Sequence, residues 1–261
     1  LVSCGDDGTT AAAEAEEPEV TTTVAATVDV AATVDEFLTS IPEGWLSIKA
    51  AEDVVAARDT GNALLIDVRE TSEYDEGHIP GAVNIPIREL TKHLDAIPMD
   101  QQVVVYCKSG YRAAMATAAL QTLGYDNVKA FGGSYKAWTA AEQEVSTEAV
   151  ALPTGVAPDF EPELLAAVED FLLVIPEGYQ TVGPVEKMEA AMDAGAFLVD
   201  VREPGEYAEG RIPGAVNMPL RTLMAGVEDI PDDVQVVVYC KSGYRAGIAN
   251  AALTIAGLDN D

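Results

Sequence analysis

Val103-Val104-Val105-Tyr106-Cys107-Lys108-Ser109-Gly110-Tyr111-Arg112 returns without change at residues 236–245, ending there on Cys240-Lys241-Ser242-Gly243-Tyr244-Arg245. Each copy opens with a short β-branched apolar run, as expected of a buried parallel strand. A cysteine follows directly, and after the loop residues 112–123 read as a helix. That order puts the sulfur at the C-terminal end of a sheet, against a helix N-terminus. Backbone N–H groups there converge on an anion.

Outward from this stretch the repeat continues. Ile66-Asp67-Val68-Arg69-Glu70 returns as Val199-Asp200-Val201-Arg202-Glu203, and Gly77-His78-Ile79-Pro80-Gly81-Ala82-Val83-Asn84 as Gly210-Arg211-Ile212-Pro213-Gly214-Ala215-Val216-Asn217. The spacing stays at 133 residues (200 − 67 and 240 − 107), so no gap falls between the motifs and one domain has been duplicated. Ahead of the motifs, Ile41-Pro42-Glu43-Gly44-Trp45 matches Ile175-Pro176-Glu177-Gly178-Tyr179. A helix-like segment precedes each, with apolar residues such as Leu164, Leu165, Val168, Phe171 and Leu172 at helical spacing. Each of these helices is expected to pack on its own domain.

Within a copy, strands alternate with helices. Ala63–Asp67, Gln102–Tyr106 and Val128–Phe131 read as strands. Residues 50–59, 88–95, 112–123 and 135–141 read as helices, with Gly124 as a stop. The fold class is α/β: two tandem domains, each a mostly parallel sheet flanked by helices. Residues 1–33 read as an acidic flexible tether, 34–141 as domain 1, 142–162 as an acidic linker holding Pro153, Pro158 and Pro162, and 163–261 as domain 2. Asp261 aligns with Val128, so the second copy as given lacks the last strand and helix of the first. A sheet edge would be exposed there, and the expectation is that the natural chain continues or that a partner donates the strand.

With 44 acidic against 15 basic residues, a net charge of −29 speaks against nucleic-acid binding and against an anionic membrane surface as a partner. No apolar run of about twenty residues is present to span a membrane. Three cysteines, Cys4, Cys107 and Cys240, are too few and too odd for a disulfide framework. No His/Cys spacing suggests zinc, so no metal is expected. His78 and His93 read as a turn residue and a surface helix residue, and Trp45 and Trp138 as packing residues.

A helix N-terminus with Lys108 and Arg112 beside it, or Lys241 and Arg245, favours thiolate over thiol, and thiolate is the nucleophile that attacks a sulfane sulfur. Gly110 and Gly243 allow a turn that a Cβ would obstruct. The arginine forks suit an oxyanion such as sulfite or thiosulfate.

Together, the cysteine loop, the Asp-Val-Arg-Glu strand end and the Gly-His-Ile-Pro-Gly-Ala segment resemble rhodanese-homology domains, over roughly residues 45–141 and 179–261. The resemblance implies a catalytic cysteine that cycles through a persulfide, at Cys107 and Cys240, and no metal or organic cofactor. It implies a sulfur-cradling loop at Lys108, Ser109, Gly110, Tyr111 and Arg112, and at Lys241, Ser242, Gly243, Tyr244 and Arg245. Asp67 and Asp200 are then structural, and Arg69 and Arg202 are candidate substrate contacts. Phosphatase relatives of the fold have a loop one residue longer, so the six residues from Cys107 to Arg112 point to sulfur transfer. The implied activity is that of a thiosulfate sulfurtransferase, with a small sulfur-containing anion as donor and a thiol or other thiophile as acceptor. The alternative is a non-catalytic sulfur carrier, or a binding component of an extracytoplasmic surface assembly.

The chain opens Leu1-Val2-Ser3-Cys4-Gly5-Asp6-Asp7, without a Met, as a piece of a longer precursor would. This resembles a bacterial lipobox. It implies acylation of Cys4 and an extracytoplasmic protein anchored to the membrane by lipid.

Overall fold

A computed structural model describes residues 28–258 apart from 180, 182 and 184; Cys4 and most of the expected tether lie outside the described residues. The first helix, α1 (Val30–Ser40), begins inside the stretch read as tether, where the Asp29 carboxylate accepts a hydrogen bond from the Ala32 N–H and caps it. Then come β1 (Ser47–Ile48), α2 (Ala51–Asp59), β2 (Ala63–Asp67), α3 (Thr71–Asp75), β3 (Val83–Asn84), a 3-10 segment (Ile87–Ala96), β4 (Gln102–Tyr106), α4 (Tyr111–Thr122), β5 (Val128–Phe131) and α5 (Ser134–Ala140). The strands form one parallel sheet in the order β1-β5-β4-β2-β3. Its central strands are buried on both faces, which is why they read as unbroken apolar runs.

The helix expected over residues 88–95 is instead a 3-10 segment, interrupted at His93 with φ −128°. Its buried Ile87 and Leu90 are three residues apart, which matches a three-residue turn.

The second repeat runs α6 (Pro162–Val174), α7 (Val185–Asp193), β6 (Phe197–Asp200), α8 (Pro204–Glu209), β7 (Val216–Asn217), a second 3-10 segment (Leu220–Asp229), β8 (Val236–Tyr239) and α9 (Tyr244–Ile255). Among the described residues its sheet has three strands, β7-β6-β8, so β8 is an edge where its counterpart β4 is interior. Val236 and Val238 are half-buried, whereas Val103 and Val105 are fully buried. The outer core of the first repeat includes Phe131 and Trp138; that of the second comes down to Ala191, Leu198, Ala215 and Val237.

The leading helices do not stay at home. α1 packs mainly on the 3-10 segment Leu220–Asp229 of the second repeat, and α6 on the 3-10 segment Ile87–Ala96 of the first. The expectation that each helix covers its own domain is corrected to an exchange. Its cause is specific. Arg221 donates to the carbonyls of Ile41 (2.7 Å) and Pro42 (3.0 Å), and Arg88 to those of Ile175 and Pro176 (both 2.9 Å). Each arginine thus satisfies the carbonyls left open as the other repeat's leader ends its helix. Between the sheets, α4 lies against α9. A Cβ on Gly247 would stand 3.0 Å from the Ala114 Cβ and from the Tyr111 carbonyl, so the helices meet where one of them has no side chain. One hydrophobic core therefore runs through both repeats, from Val34 and Phe37 through Ala114 to Ile248 and Leu253.

The linker is held against the first repeat. Ser146 exchanges backbone hydrogen bonds with His78 (2.9 and 3.0 Å), and the Val150 N–H donates to the Tyr74 hydroxyl. His78, expected as a turn residue, is fully buried. Its ring stacks on Tyr74 at 3.7 Å, and its two nitrogens face the carbonyls of Tyr74 and Glu148.

Candidate active site

Both cysteines stand where a strand gives way to a helix. Gly110 is the N-cap of α4 with φ +105°, and its N–H donates to the Cys107 Sγ at 3.1 Å. Gly243 caps α9 with φ +87°, and its N–H donates to the Cys240 Sγ at 3.2 Å. Only glycine takes this backbone without strain, and the turn is what aims the amide at the sulfur. The helix dipole adds to the same positive field.

Arg112 and Arg245 are the first-turn arginines of the two helices. Both are buried, and neither is an open fork. Arg112 donates to Glu73 from both terminal nitrogens (2.6 and 2.9 Å), and Arg245 to Glu206 (2.5 and 2.9 Å). The expectation of a free guanidinium holding an oxyanion is corrected accordingly. Burial opposes the charge on Arg112, but the Glu73 bonds and the nearby Cys107 sulfur raise it above its ordinary value. Arg245 is raised first by Glu206 and further by the Cys240 sulfur, with burial opposing. Glu206 is held down at about 2, chiefly by Arg245. Each arginine is therefore a fixed cation beside a sulfur, oriented by a carboxylate.

Arg69 and Arg202 are occupied in the same manner. Arg69 grips Asp67 (2.5–3.0 Å) and the Gly77 carbonyl (2.8 Å), and Arg202 grips Asp200 and the Gly210 carbonyl (2.7 Å). Their reading as substrate contacts gives way to one in which they hold the strand ends. Lys108, Ser109, Lys241 and Ser242 are exposed at the loop tips. Tyr111 and Tyr244 leave their own loops for the repeat interface: the Tyr111 hydroxyl meets Asn250 at 2.7 Å, and the Tyr244 hydroxyl donates to the Leu46 carbonyl at 3.2 Å.

The sites differ in what closes them. Cys107 is 1% exposed. The turn after β5 covers it: Ser134 Oγ accepts from the Cys107 N–H at 3.1 Å and lies 3.8 Å from its sulfur. Cys240 has no such turn among the described residues and is partly exposed. Beside its loop opens a cavity of about 330 Å³ whose walls include Trp45, Lys49 and Gly132 of the first repeat.

Residues from the exchanged leaders complete both sites, and these sequence reasoning missed. The Tyr179 hydroxyl accepts from Arg112 (3.2 Å) and donates to Glu70 (2.7 Å), with its ring 4.6 Å from the Arg112 guanidinium carbon. Trp45, at the matching position, lies 4.1 Å from that of Arg221 and 5.0 Å from that of Arg245. The signal was present: Glu73 recurs as Glu206, Arg88 as Arg221, and the aromatic ends the duplicated Ile-Pro-Glu-Gly segment.

A family model described as "Rhodanese-like domain" matches residues 50–141 and 184–260. The chain is 27% identical over 230 residues to a 3-mercaptopyruvate sulfurtransferase of Escherichia coli, covering 74% of this chain and 80% of that protein. It is 39% identical over 80 residues to a sulfurtransferase of Allochromatium vinosum, covering 31% of this chain and 75% of that one. Among solved structures, a thiosulfate sulfurtransferase from Pseudomonas aeruginosa aligns with a TM-score of 0.42 at 24% identity, over 87% of this chain but 44% of that one.

Proposed function

Because the chain belongs to the rhodanese-like domain family, we propose that it transfers sulfane sulfur from thiosulfate, or from a persulfide or polysulfide, to a thiophilic acceptor by way of persulfides on Cys107 and Cys240. The observation that carries this reading is the sulfur at a helix N-terminus, bonded by the amide of Gly110 or Gly243 and flanked by a fixed arginine. With thiosulfate, the thiolate attacks the outer sulfur. The S–S bond of the donor breaks, sulfite leaves with its electron pair, and a cysteine persulfide forms. A thiol or cyanide then attacks the terminal sulfur, and the cysteine thiolate returns. Cradle and arginine stabilise negative charge on either sulfur throughout.

Intact mass after thiosulfate treatment should rise by up to two sulfur atoms and fall on adding cyanide. Cys107→Ser and Cys240→Ser should each remove one of them. A gain that survives both substitutions together rejects the reading. A carrier that never turns over would take up sulfur but fail to make thiocyanate catalytically.

Location follows a separate line. We propose, on the lipobox-like stretch around Cys4, that this cysteine is acylated and anchors the protein by lipid. Detergent partitioning of the native protein against Cys4→Ser tests it, and a native N-terminal peptide running through Leu1 overturns it.

A further inference from the structure

The aromatic residues that the two leaders carry across the interface meet their arginines differently. We infer that Tyr179 is a positioning residue for Cys107: its hydroxyl, brought in by the second repeat's leader, fixes the orientation of Arg112 beside the sulfur. Sulfur chemistry in the first repeat then depends on a residue of the second. This rests on the sulfur-transfer reading above.

Three observations carry it. The first is the direction of the hydrogen bonds. The Tyr179 hydroxyl donates to Glu70 Oε1 at 2.7 Å, so its lone pairs are left to accept from Arg112 Nη1 at 3.2 Å. Burial, and then the bond to Glu70, raise Tyr179 above its ordinary value, so the hydroxyl stays a neutral bridge. Glu73 takes the other N–H of Nη1 and one from Nη2. The hydroxyl is thus a third point of attachment, which keeps the guanidinium from rocking on its carboxylate.

The second is what holds Tyr179. Arg88 donates to the carbonyls of Ile175 and Pro176 and, from Nη1, to the same Glu70 oxygen at 2.8 Å. A closed circuit runs from the end of the leader through Arg88, Glu70 and Tyr179 to Arg112.

The third is backbone strain. Tyr179 has φ +53°, in the left-handed region that an aromatic residue rarely enters. Its N–H donates to the Pro176 carbonyl at 2.9 Å, closing the turn that brings the ring to 4.6 Å from the Arg112 guanidinium carbon. Trp45 keeps the same kind of turn, at φ +63°, without a hydroxyl. There Arg221–Glu203 and Arg245–Glu206 remain two separate pairs beside one ring.

The test uses the full chain and reads each cysteine by the mass of its own peptide. Tyr179→Phe keeps the ring and removes only the bridge. After a short pulse of thiosulfate, sulfur on Cys107 should appear about fivefold more slowly than in the unaltered chain, the worth of one neutral hydrogen bond. Loading of Cys240 should stay within about twofold, which a general loss of structure would not allow. The pH profile of Cys107 loading should move up by about half a unit, because a looser Arg112 stabilises thiolate less. Tyr244 feels the same sulfur, but burial first and that sulfur second raise it above its ordinary value, so it keeps its proton and the profile reports the thiol. Cys107 loading unchanged by Tyr179→Phe overturns the proposal, and so does equal slowing at both cysteines. Alkylation by iodoacetamide across the same pH range separates the two readings. If the unaltered chain takes sulfur on neither cysteine, the sulfur-transfer reading falls. An upward shift of the Cys107 alkylation profile in Tyr179→Phe would then still uphold the positioning role, and an unmoved profile would overturn it.

Discussion

At the scale of single residues, the two cysteine loops have the same sequence but different surroundings. Gly110→Ala would force a side chain onto φ +105° and into the carbonyl of Gly132. Gly243→Ala would meet strain from φ +87° alone, its nearest neighbour being a Tyr111 ring carbon at 3.8 Å. The first substitution should destabilise by more than the ~1–3 kcal/mol of backbone strain and abolish persulfide formation at Cys107. The second should stay within that range, and thermal melts of the two variants check the order. The Glu206–Arg245 pair sets an acid limit. Glu206 is held at about 2 against an ordinary 4.5, so its contribution to stability is whole above pH 4.5 and fades as pH falls toward 2. Glu206→Gln should therefore melt lower than the unaltered protein at pH 7 and converge with it near pH 2. A difference in melting that does not change with pH would contradict this.

At the scale of elements, the exchanged helices make a prediction that intuition from sequence reverses. Leu38 lies in the first leader and is fully buried in the core common to both repeats. Leu38→Ala should cost ~2–5 kcal/mol, as core truncations do. Because α1 rests on the 3-10 segment Leu220–Asp229, amide exchange should quicken there more than in Ile87–Ala96, though the latter is nearer in sequence. Faster exchange in Ile87–Ala96 alone would mean that the leader covers its own repeat. Sequence patterning made α1 and α6 legible as amphipathic helices but not their targets. An apolar stripe states that a face is buried and carries no address. Here the address is Arg88 and Arg221, ordinary surface residues to any reading of local pattern, whose forks reach the carbonyls of another repeat.

At the scale of the molecule, a continuous core and crossed leaders predict that the repeats unfold together. Calorimetry of the full chain should show one cooperative transition, with equal calorimetric and van't Hoff enthalpies. Residues 34–141 alone would lose α6 and expose the apolar face of Ile87–Ala96, and should melt well below the full chain. A fragment as stable as the whole would show the exchanged contacts to be dispensable.

The duplication, the α/β class and the strand–cysteine–helix order were legible in the sequence alone, because alternating apolar runs, glycine turns and a repeated loop are local constraints that survive in any packing. Tertiary structure decided everything that depends on which surfaces meet. It turned Arg112 and Arg245 from open forks into carboxylate-held cations, sent Tyr111 and Tyr244 across the interface, and brought Trp45, Lys49 and Tyr179 to sites in the opposite repeat. The physical reason is that a guanidinium or an aromatic ring is chemically competent wherever it stands. Its role is set by the partners within a few ångströms, and the fold draws those from residues up to 198 positions away, as with Tyr244 and Leu46.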